Sequence, residues 1–438
     1  MASADAAPAT VANPRRALLT VVAVVFVDLL GFGIIVPILP FYVRSFGASD
    51  VFIGLLAASY SLMQFAFAPL LGRISDERGR RPVLLLSIAG SVVAWTVFGL
   101  AGSLAVLFVS RMLAGAMGAN IAAAQAYVAD ITTPERRAGA LGMLGAAFGL
   151  GFVFGPALGG LFASDPVVAA ATAVFPEWIP ATRFSLPSFA AAGFSLLNLA
   201  FAVAYLPETG APRTAPIRRR SWVGQFTDAL RDDRLSGLVV AFFLYSLAFS
   251  GVQVMFIPFA ADLYGYTASQ TAVLLTYVGV LGVVVQGGLV GRLSVRYSDA
   301  RLSLVGTVSL AVALVGIPFA PTIGPTLLPP LGGPAFVTPE LVALLLVLPV
   351  LSFGNGLLSV SLNTLVSKAA SVETQGSAFG VTQGAGSLGR TVGPPVMAAL
   401  YALLAYWSPF VVGGVLMLPV LAILARGAWR RVAPAATG

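Results

Sequence analysis

The stretch ALLTVVAVVFVDLLGFGIIVPILPFY, residues 17–42, decides the fold class of this chain. It is long enough to cross a bilayer as a helix, because about 20 apolar residues span the hydrocarbon core. Its one charged residue is Asp28. Soluble domains carry about 25% charged residues, whereas here 10% are charged and 58% are hydrophobic. The composition therefore predicts a polytopic membrane protein.

Eleven further apolar stretches follow, and several are rich in the Gly and Pro that membrane helices tolerate. The predicted spans cover residues 17–42, 51–71, 83–101, 104–128, 138–162 and 188–206, then 236–263, 271–290, 302–320, 341–366, 377–403 and 409–425. We therefore predict an all-α protein with twelve transmembrane helices in two pseudo-symmetric six-helix bundles.

Positive charge predicts the orientation, because cytoplasmic loops carry the excess of Lys and Arg. With both termini in the cytoplasm, all but four of the 25 basic residues fall on cytoplasmic segments. The four exceptions are Arg44, Arg111, Arg183 and Arg390. The predicted domains are a cytoplasmic tail (1–16), an N-terminal bundle (17–206), a cytoplasmic linker (207–235), a C-terminal bundle (236–426) and a cytoplasmic C-terminal tail (427–438).

An internal repeat supports the division into two bundles. At a fixed offset of 238 residues, segment 118–156 aligns without a gap with segment 356–394. Gly151 then matches Gly389, and Gly155 matches Gly393. Two parallel six-helix repeats are typical of secondary transporters, which bind substrate near the membrane midplane.

The residue types that most enzymes need are absent. The chain has no Cys and no His, which excludes thiol nucleophiles, Cys/His zinc sites and imidazole acid–base catalysis. Its one lysine, Lys368, follows no Gly-rich phosphate loop. We expect no enzymatic activity, no metal site and no cofactor, with the proton gradient as energy source. The net charge of +8 follows from the cytoplasmic bias, so we expect no nucleic-acid partner.

Residues 72–82, GRISDERGRRP, join the second and third spans and are called the signature loop below. Glycines permit a tight turn there, and arginines 80 and 81 are expected to face the cytoplasm. The acid at position 76 either caps the next helix or forms an ion-pair latch with an arginine. The predicted gating set is Gly72, Asp76, Arg78, Gly79, Arg80, Arg81, Asp130 and Glu135.

A second motif lies in the fifth span. Gly151, Gly155 and Gly159 recur at i, i+4 and i+8 and form a smooth stripe that lets a helix approach closely. Pro156 bends this helix, and Gly160 continues the motif. One hypothesis is a rigid seam between the two halves that acts as pivot and barrier to proton leak. The alternative is ordinary packing of small residues.

Two charged residues lie within predicted spans. Inserting Asp or Arg at the centre of a membrane helix costs about 2.5–3.5 kcal/mol of free energy. Asp28 lies eleven residues past Ala17, and Arg111 lies seven past Leu104 on a helix entering from the opposite side. Their depths allow a direct or water-bridged pair. We predict that Asp28 carries the coupling proton and that Arg111 is its electrostatic partner; the alternative is a structural helix-to-helix pair.

Polar amides and aromatic rings inside the spans are candidates for contact with substrate, although most such side chains face lipid or other helices. The candidates are Phe32, Tyr60, Gln64, Asn120, Gln125, Phe148, Phe152, Gln253, Phe256, Tyr277, Gln383 and Arg390. Arg390 either meets an anionic substrate group or extends its charge toward the membrane surface.

The signature loop resembles that of the major facilitator superfamily, and Arg111-Met-Leu-Ala-Gly115 resembles its intramembrane arginine motif. The Gly151–Gly160 segment is similar to the motif of its antiporter branch, and residues 64–87 are similar to tetracycline efflux proteins. The resemblance implies proton-coupled drug efflux by a monomer. The sequence differs from tetracycline antiporters in the third span, where Ala94 stands at the position of their acidic residue.

The expected partners are a small-molecule substrate, protons and membrane lipids, in the inner (plasma) membrane of a prokaryote. Two rival functions remain. One is export or facilitated passage of a specific metabolite or sugar, and the other is a non-transporting membrane receptor or scaffold. An antiporter should release protons when substrate binds, whereas a receptor should show no counterflow.

Overall fold

The computed structural model describes most of the chain, and no strand occurs in the part that it describes. The described residues are 11, 13–118, 120–209, 224, 227, 230–232, 235–329, 337–370 and 375–432. The predicted tails and linker lie largely outside them, so those domain boundaries stay predictions.

The helices of the first half are α1 (Pro14–Ile35), α2 (Leu39–Ser45), α3 (Val51–Arg78), α4 (Arg80–Gly99), α5 (Leu104–Met117), α6 (Asn120–Ile131), α7 (Pro134–Phe162), α8 (Asp165–Val174) and α9 (Ser185–Tyr205). Those of the second half are α10 (Ser236–Tyr264), α11 (Ala268–Val284), a π-helical turn (Val285–Leu289), α12 (Val290–Arg296), α13 (Asp299–Leu327), α14 (Pro339–Ala369), α15 (Gln375–Leu403) and α16 (Ser408–Val432).

Eleven helical stretches of the described chain are long and apolar enough to cross a membrane. Each coincides with a predicted span and differs from it by a few residues at its ends, because the helices continue into their polar flanks. The remaining predicted span coincides with α15, a helix of 29 residues whose polar and small side chains lower its hydropathy. The count of twelve crossings and the cytoplasmic termini therefore stay predictions.

The signature loop is mostly helical, which corrects the prediction of a glycine-rich turn. Helix α3 continues through Gly72 to Arg78, and α4 begins at Arg80. The turn between them is made by Gly79 alone, whose φ of 101° lies in the region that favours glycine. One residue with this backbone therefore reverses the chain between two membrane helices.

The described chain forms two compact units. Unit 1 comprises residues within 1–46, 59–216 and 267–279, and unit 2 comprises residues within 47–58, 217–266 and 280–438. Each unit thus contains most of one half of the sequence and a short segment of the other. In unit 1, the Ser269 hydroxyl of α11 donates a hydrogen bond to the Gly160 carbonyl of α7 at 2.8 Å.

The glycine stripe of α7 packs against α1 inside unit 1, while Gly160 lies against Ser269 of α11; the role of this motif as a pivot between the halves stays a prediction. A Cβ at Gly155 would lie 2.6 Å from the Cα of Gly33. A Cβ at Gly151 would lie 2.8 Å from the Cβ of Leu29, and one at Gly159 would collide with the Ile34 carbonyl. The two backbones touch because these positions carry no side chain.

The same arrangement recurs in unit 2, as the sequence repeat predicts. A Cβ at Gly389 would lie 2.7 Å from the Phe243 carbonyl oxygen of α10. A Cβ at Gly393 would collide with the Ser250 hydroxyl. Helix α15 therefore packs on α10 through the glycines that match those of α7 on α1.

Replacing Gly155 with alanine should destabilise the protein by about 1–3 kcal/mol, because the new methyl group would force α7 away from Gly33. The matched control is Gly142→Ala on the same helix, where no heavy atom lies within 4 Å of the added Cβ. The thermal midpoint of the purified protein in detergent should fall for Gly155→Ala and not for Gly142→Ala. Equal midpoints for the two variants would contradict the close packing.

Candidate functional site

Asp28 and Arg111 lie in one cluster of unit 1. Asp28 is half-buried on α1, and its Oδ1 accepts a hydrogen bond of 3.3 Å from the Ser91 hydroxyl of α4. Arg111 is buried on α5 and only 5% exposed. Tyr60 of α3 lies close enough to interact electrostatically with both charges. Four helices therefore bring a carboxyl, a hydroxyl, a guanidinium and a phenol together.

Aromatic rings surround Arg111. Its Cζ lies 4.6 Å from the ring centroid of Tyr60 and 5.6 Å from that of Phe32. A desolvated cation over an aromatic face gains about 2 kcal/mol or more. The Nε has no hydrogen-bond partner among the described residues, and such a group costs about 1–3 kcal/mol. The ring faces thus offset part of the cost of burying this charge.

Two glycines allow Tyr60 to reach Arg111. A Cβ at Gly115 would collide with the Tyr60 carbonyl oxygen, and one at Gly118 would lie 2.6 Å from its phenol oxygen. Gln64, one turn further along α3, donates from Nε2 to the Gly118 carbonyl at 3.0 Å. Helix α3 therefore lies directly against α5, and the position of the Tyr60 ring is set by backbone contacts.

Three rings form an aromatic wall beside the charged cluster. The centroid of Phe32 lies 5.2 Å from that of Tyr60 and 6.1 Å from that of Phe152. Phe152 is 43% exposed. A flat apolar surface next to a carboxyl and a guanidinium suits a molecule that has both an apolar ring system and polar groups.

Arg80 is buried in an ion-pair network, which corrects the expectation that it faces the cytoplasm. It is 6% exposed. Its Nη1 donates to Asp76 Oδ1 at 2.6 Å, and its Nε donates to Asp130 Oδ2 at 2.9 Å. The Ser75 hydroxyl accepts a further bond from Nη1 at 3.2 Å. One guanidinium therefore joins the end of α3 to the end of α6.

Glu208 completes the turn at Gly79 from the far end of α9. Its Oε1 accepts hydrogen bonds from the backbone N–H of Arg80 at 2.9 Å and of Thr209 at 3.0 Å. A Cβ at Gly79 would lie 2.6 Å from Glu208 Oε2. The glycine therefore provides both the positive φ and the space for this carboxylate.

The other gating candidates lie at varied depths. The side chain of Arg78 is exposed, and Gly72 has open space around it. Arg81 is half-buried and donates to the Val203 carbonyl at 2.8 Å. The side chain of Glu135 lies outside the described residues, so its predicted ion pair stays a prediction.

The remaining substrate candidates separate into interior and accessible residues. Phe256 is 2% exposed and lies in the interior of unit 2, with Phe259 at 6.5 Å between ring centroids. Phe148 packs against the core of unit 1, and Tyr277 is half-buried. Gln125, Gln253, Gln383 and Arg390 are exposed, and the side chain of Asn120 lies outside the described residues.

Several residues of these clusters were not predicted. Ser91, Glu208 and Asn355 are polar, but a single serine in an apolar span or a glutamate after a span carries no distinguishing pattern. Asn355 matters because it accepts a hydrogen bond of 2.5 Å from the Tyr245 hydroxyl in unit 2. No group of acidic residues that could hold a metal ion occurs in the described part of the chain.

Comparison with known proteins gives a family match over most of the chain. The model of the Major Facilitator Superfamily matches residues 21–394. The chain is 31% identical to the tetracycline resistance protein, class C, of Escherichia coli, over 95% of this chain and 98% of that protein. It is 27% identical to major facilitator superfamily domain-containing protein 10 of Mus musculus, over 97% of this chain and 95% of that protein.

Two solved structures also match most of the chain. The crystal structure of the human organic anion transporter MFSD10 (TETRAN) matches with 25% identity and a TM-score of 0.64, over 94% of this chain and 99% of that one. A bacterial homolog of the human lysosomal transporter Spinster matches with a TM-score of 0.74 and 16% identity, over 94% and 96%. The second likeness concerns the fold alone.

Replacing Arg80 with glutamine should destabilise the protein by about 3–5 kcal/mol, because Asp76 and Asp130 would lose the cation that both contact. Arg73→Gln is the matched control: its ion pair with Glu77 also spans i,i+4, but these side chains are 75% and 51% exposed. That substitution should cost less than about 0.5 kcal/mol. Denaturation in detergent measures both, and equal losses would contradict the role of the buried network.

Proposed function

The chain belongs to the Major Facilitator Superfamily of transporters, and we propose that it exports amphipathic drugs, such as tetracycline-like or multidrug substrates, in exchange for protons. The tetracycline resistance relative supports efflux, since it matches nearly the whole of both chains. The observation that supports proton coupling is the position of Asp28. This carboxyl lies within a span, and Tyr60 interacts with both it and the Arg111 guanidinium.

Asp28 is suited to carry a proton for three reasons. It is half-buried, so a change in its protonation alters the charge of a poorly solvated cluster. The Ser91 hydroxyl donates to it and can stabilise the carboxylate. Arg111 supplies a fixed positive charge nearby, since guanidinium groups stay protonated. Protonating the carboxylate therefore leaves the cluster with a net positive charge.

This change of charge couples proton movement to substrate movement. When Asp28 is ionised, its charge balances that of Arg111, and the cluster is close to neutral. Uptake of a proton from outside removes that balance and favours release of the polar group of the substrate that the neutral cluster holds. Return of the proton to the cytoplasmic side restores the balance and readies the cluster for the next substrate. The proton gradient drives the cycle, and no cofactor takes part.

Substrate would lie against the aromatic wall of Phe32, Tyr60 and Phe152. These rings offer stacking faces for a fused or conjugated ring system. Because Tyr60 contacts Arg111 through its ring, a substrate that stacks on this ring changes the environment of both charges. Binding and protonation are thus linked through one side chain.

The network around Arg80 is suited to hold one state of the alternating-access cycle. It joins α3, α4 and α6 through one buried guanidinium. Breaking two charge-assisted bonds together is costly, so the network favours two discrete arrangements over a gradual change. We propose that the transporter acts as a monomer in the inner (plasma) membrane of a prokaryote.

Asp28→Asn should abolish accumulation of tetracycline driven by an imposed pH gradient in proteoliposomes, because an amide cannot take up the proton. Exchange of labelled for unlabelled tetracycline should persist, since the aromatic wall is unchanged. The matched control is Asp165→Asn, the same substitution at a side chain that is 86% exposed.

Gradient-driven accumulation by Asp28→Asn at the wild-type level would contradict the assignment of the proton to this residue. Wild-type protein that shows neither accumulation nor exchange, for any drug tried, would contradict efflux and favour the receptor.

A further inference from the structure

Unit 2 contains a polar chamber built around Arg390. Two helices each contribute a stripe of polar side chains. The stripe of α14 is Asn355, Ser359 and Asn363, at i, i+4 and i+8. The stripe of α15 is Gln383, Ser387 and Arg390, at i, i+4 and i+7. These spacings place each set on one face of its helix. The chamber is defined as these six residues together with Tyr245 of α10.

Hydrogen bonds show that the stripes face each other. Gln383 Nε2 donates to Asn363 Oδ1 at 3.4 Å, and the Tyr245 hydroxyl donates to Asn355 Oδ1 at 2.5 Å. Tyr245 also lies within interaction distance of Ser359 and Arg390. Three helices therefore enclose one polar region.

Arg390 lies deep in its helix and away from the lipid-facing side. It follows Gln375 by fifteen residues and precedes Leu403 by thirteen, which places it about 20 Å from either end. The exposed apolar residues of α15, Leu388, Val392 and Val396, lie on the opposite face of the helix.

The next position on the polar stripe is also covered by protein. There Pro394 packs against Gly54 of α3, whose added Cβ would collide with the Pro394 carbonyl. The stripe is therefore covered at this end by a helix.

The positive charge of Arg390 lacks an acidic partner among the described residues. Arg390 Nη2 donates to the Ser387 hydroxyl at 2.9 Å, and the guanidinium interacts electrostatically with the Tyr245 phenol. The described acids of the helices in unit 2 lie near helix ends, at Asp262, Asp299 and Glu340. Arg390 remains accessible, unlike Arg111, which lies beneath two rings.

We propose that the chamber binds the anionic group of an organic anion, a carboxylate or sulfonate, through Arg390. This names the substrate class of the proposed exporter and rests on that function. A guanidinium suits a planar or trigonal set of oxygens because it presents several donors in a fixed fork. Asn355, Asn363 and Gln383 add amide groups that hydrogen-bond to neutral polar parts of the same molecule. The anion supplies the negative charge that the chamber lacks.

The test compares two fluorescent probes that differ in charge, dansyl sulfonate and its neutral analogue dansyl amide, on the full chain in uncharged detergent. Arg390→Gln should weaken binding of the sulfonate about tenfold or more, because a charge-assisted contact is lost. Binding of the amide should change less than about twofold. The control Arg183→Gln removes the same charge from an exposed ion pair with Asp165 and should leave both affinities unchanged.

Several outcomes would overturn the proposal. Equal weakening of both probes by Arg390→Gln would show that the residue only maintains the shape of the chamber. Competition by sodium sulfate at the same concentration as the sulfonate probe would assign the charge to an inorganic anion.

The outcomes also separate this proposal from the proposed function. If neither probe binds while a pH gradient still drives tetracycline accumulation, drug efflux stands and the anion site is overturned. If sulfonate binding depends on Arg390 but no substrate is moved by a pH gradient, the anion site stands and proton-coupled efflux fails.

Discussion

The contact of Arg111 with the rings of Tyr60 and Phe32 is the interaction on which the site in unit 1 depends. A guanidinium in an apolar span is tolerated only where surrounding groups offset its lost hydration, and here two ring faces do so at 4.6 and 5.6 Å. The contact requires α3 to lie against α5, and Gly115 leaves room for that approach. Tyr60 also interacts electrostatically with Asp28, so in the mechanism we propose a structural requirement also links proton binding to substrate binding.

The two units share a scaffold and differ in chemistry. Glycines at matching positions of the repeat pack α7 on α1 and α15 on α10, with backbones in direct contact. In unit 1, two opposite charges lie around Tyr60, the Asp28 carboxylate and the Arg111 guanidinium. The chamber of unit 2 instead carries one positive charge, Arg390, among amides and hydroxyls. Close backbone packing is insensitive to the polar side chains on other faces of the same helices. The faces could therefore diverge while the frame was kept.

The helices could be predicted from the sequence because hydrophobicity and helix length are local properties. The stretch 17–42 alone indicates a span, and the structure continues it from Pro14 to Ser45. Pairing between helices could not be predicted in the same way. Arg80 was expected at the cytoplasmic surface, yet Asp130, fifty residues away, holds it inside the protein. The glycine stripe of α7 identified a close contact, but its partner is α1, since which helix lies opposite is decided by tertiary packing.

In the mechanism we propose, substrate binding and the protonation of Asp28 are linked. The most direct test measures protons released when tetracycline binds to the purified protein, by calorimetry in buffers of different ionisation enthalpy, for wild type and Asp28→Asn. We predict release by the wild type and none by the variant, with tetracycline still bound by both. Equal release by both proteins, or binding by the wild type without any release, would contradict it.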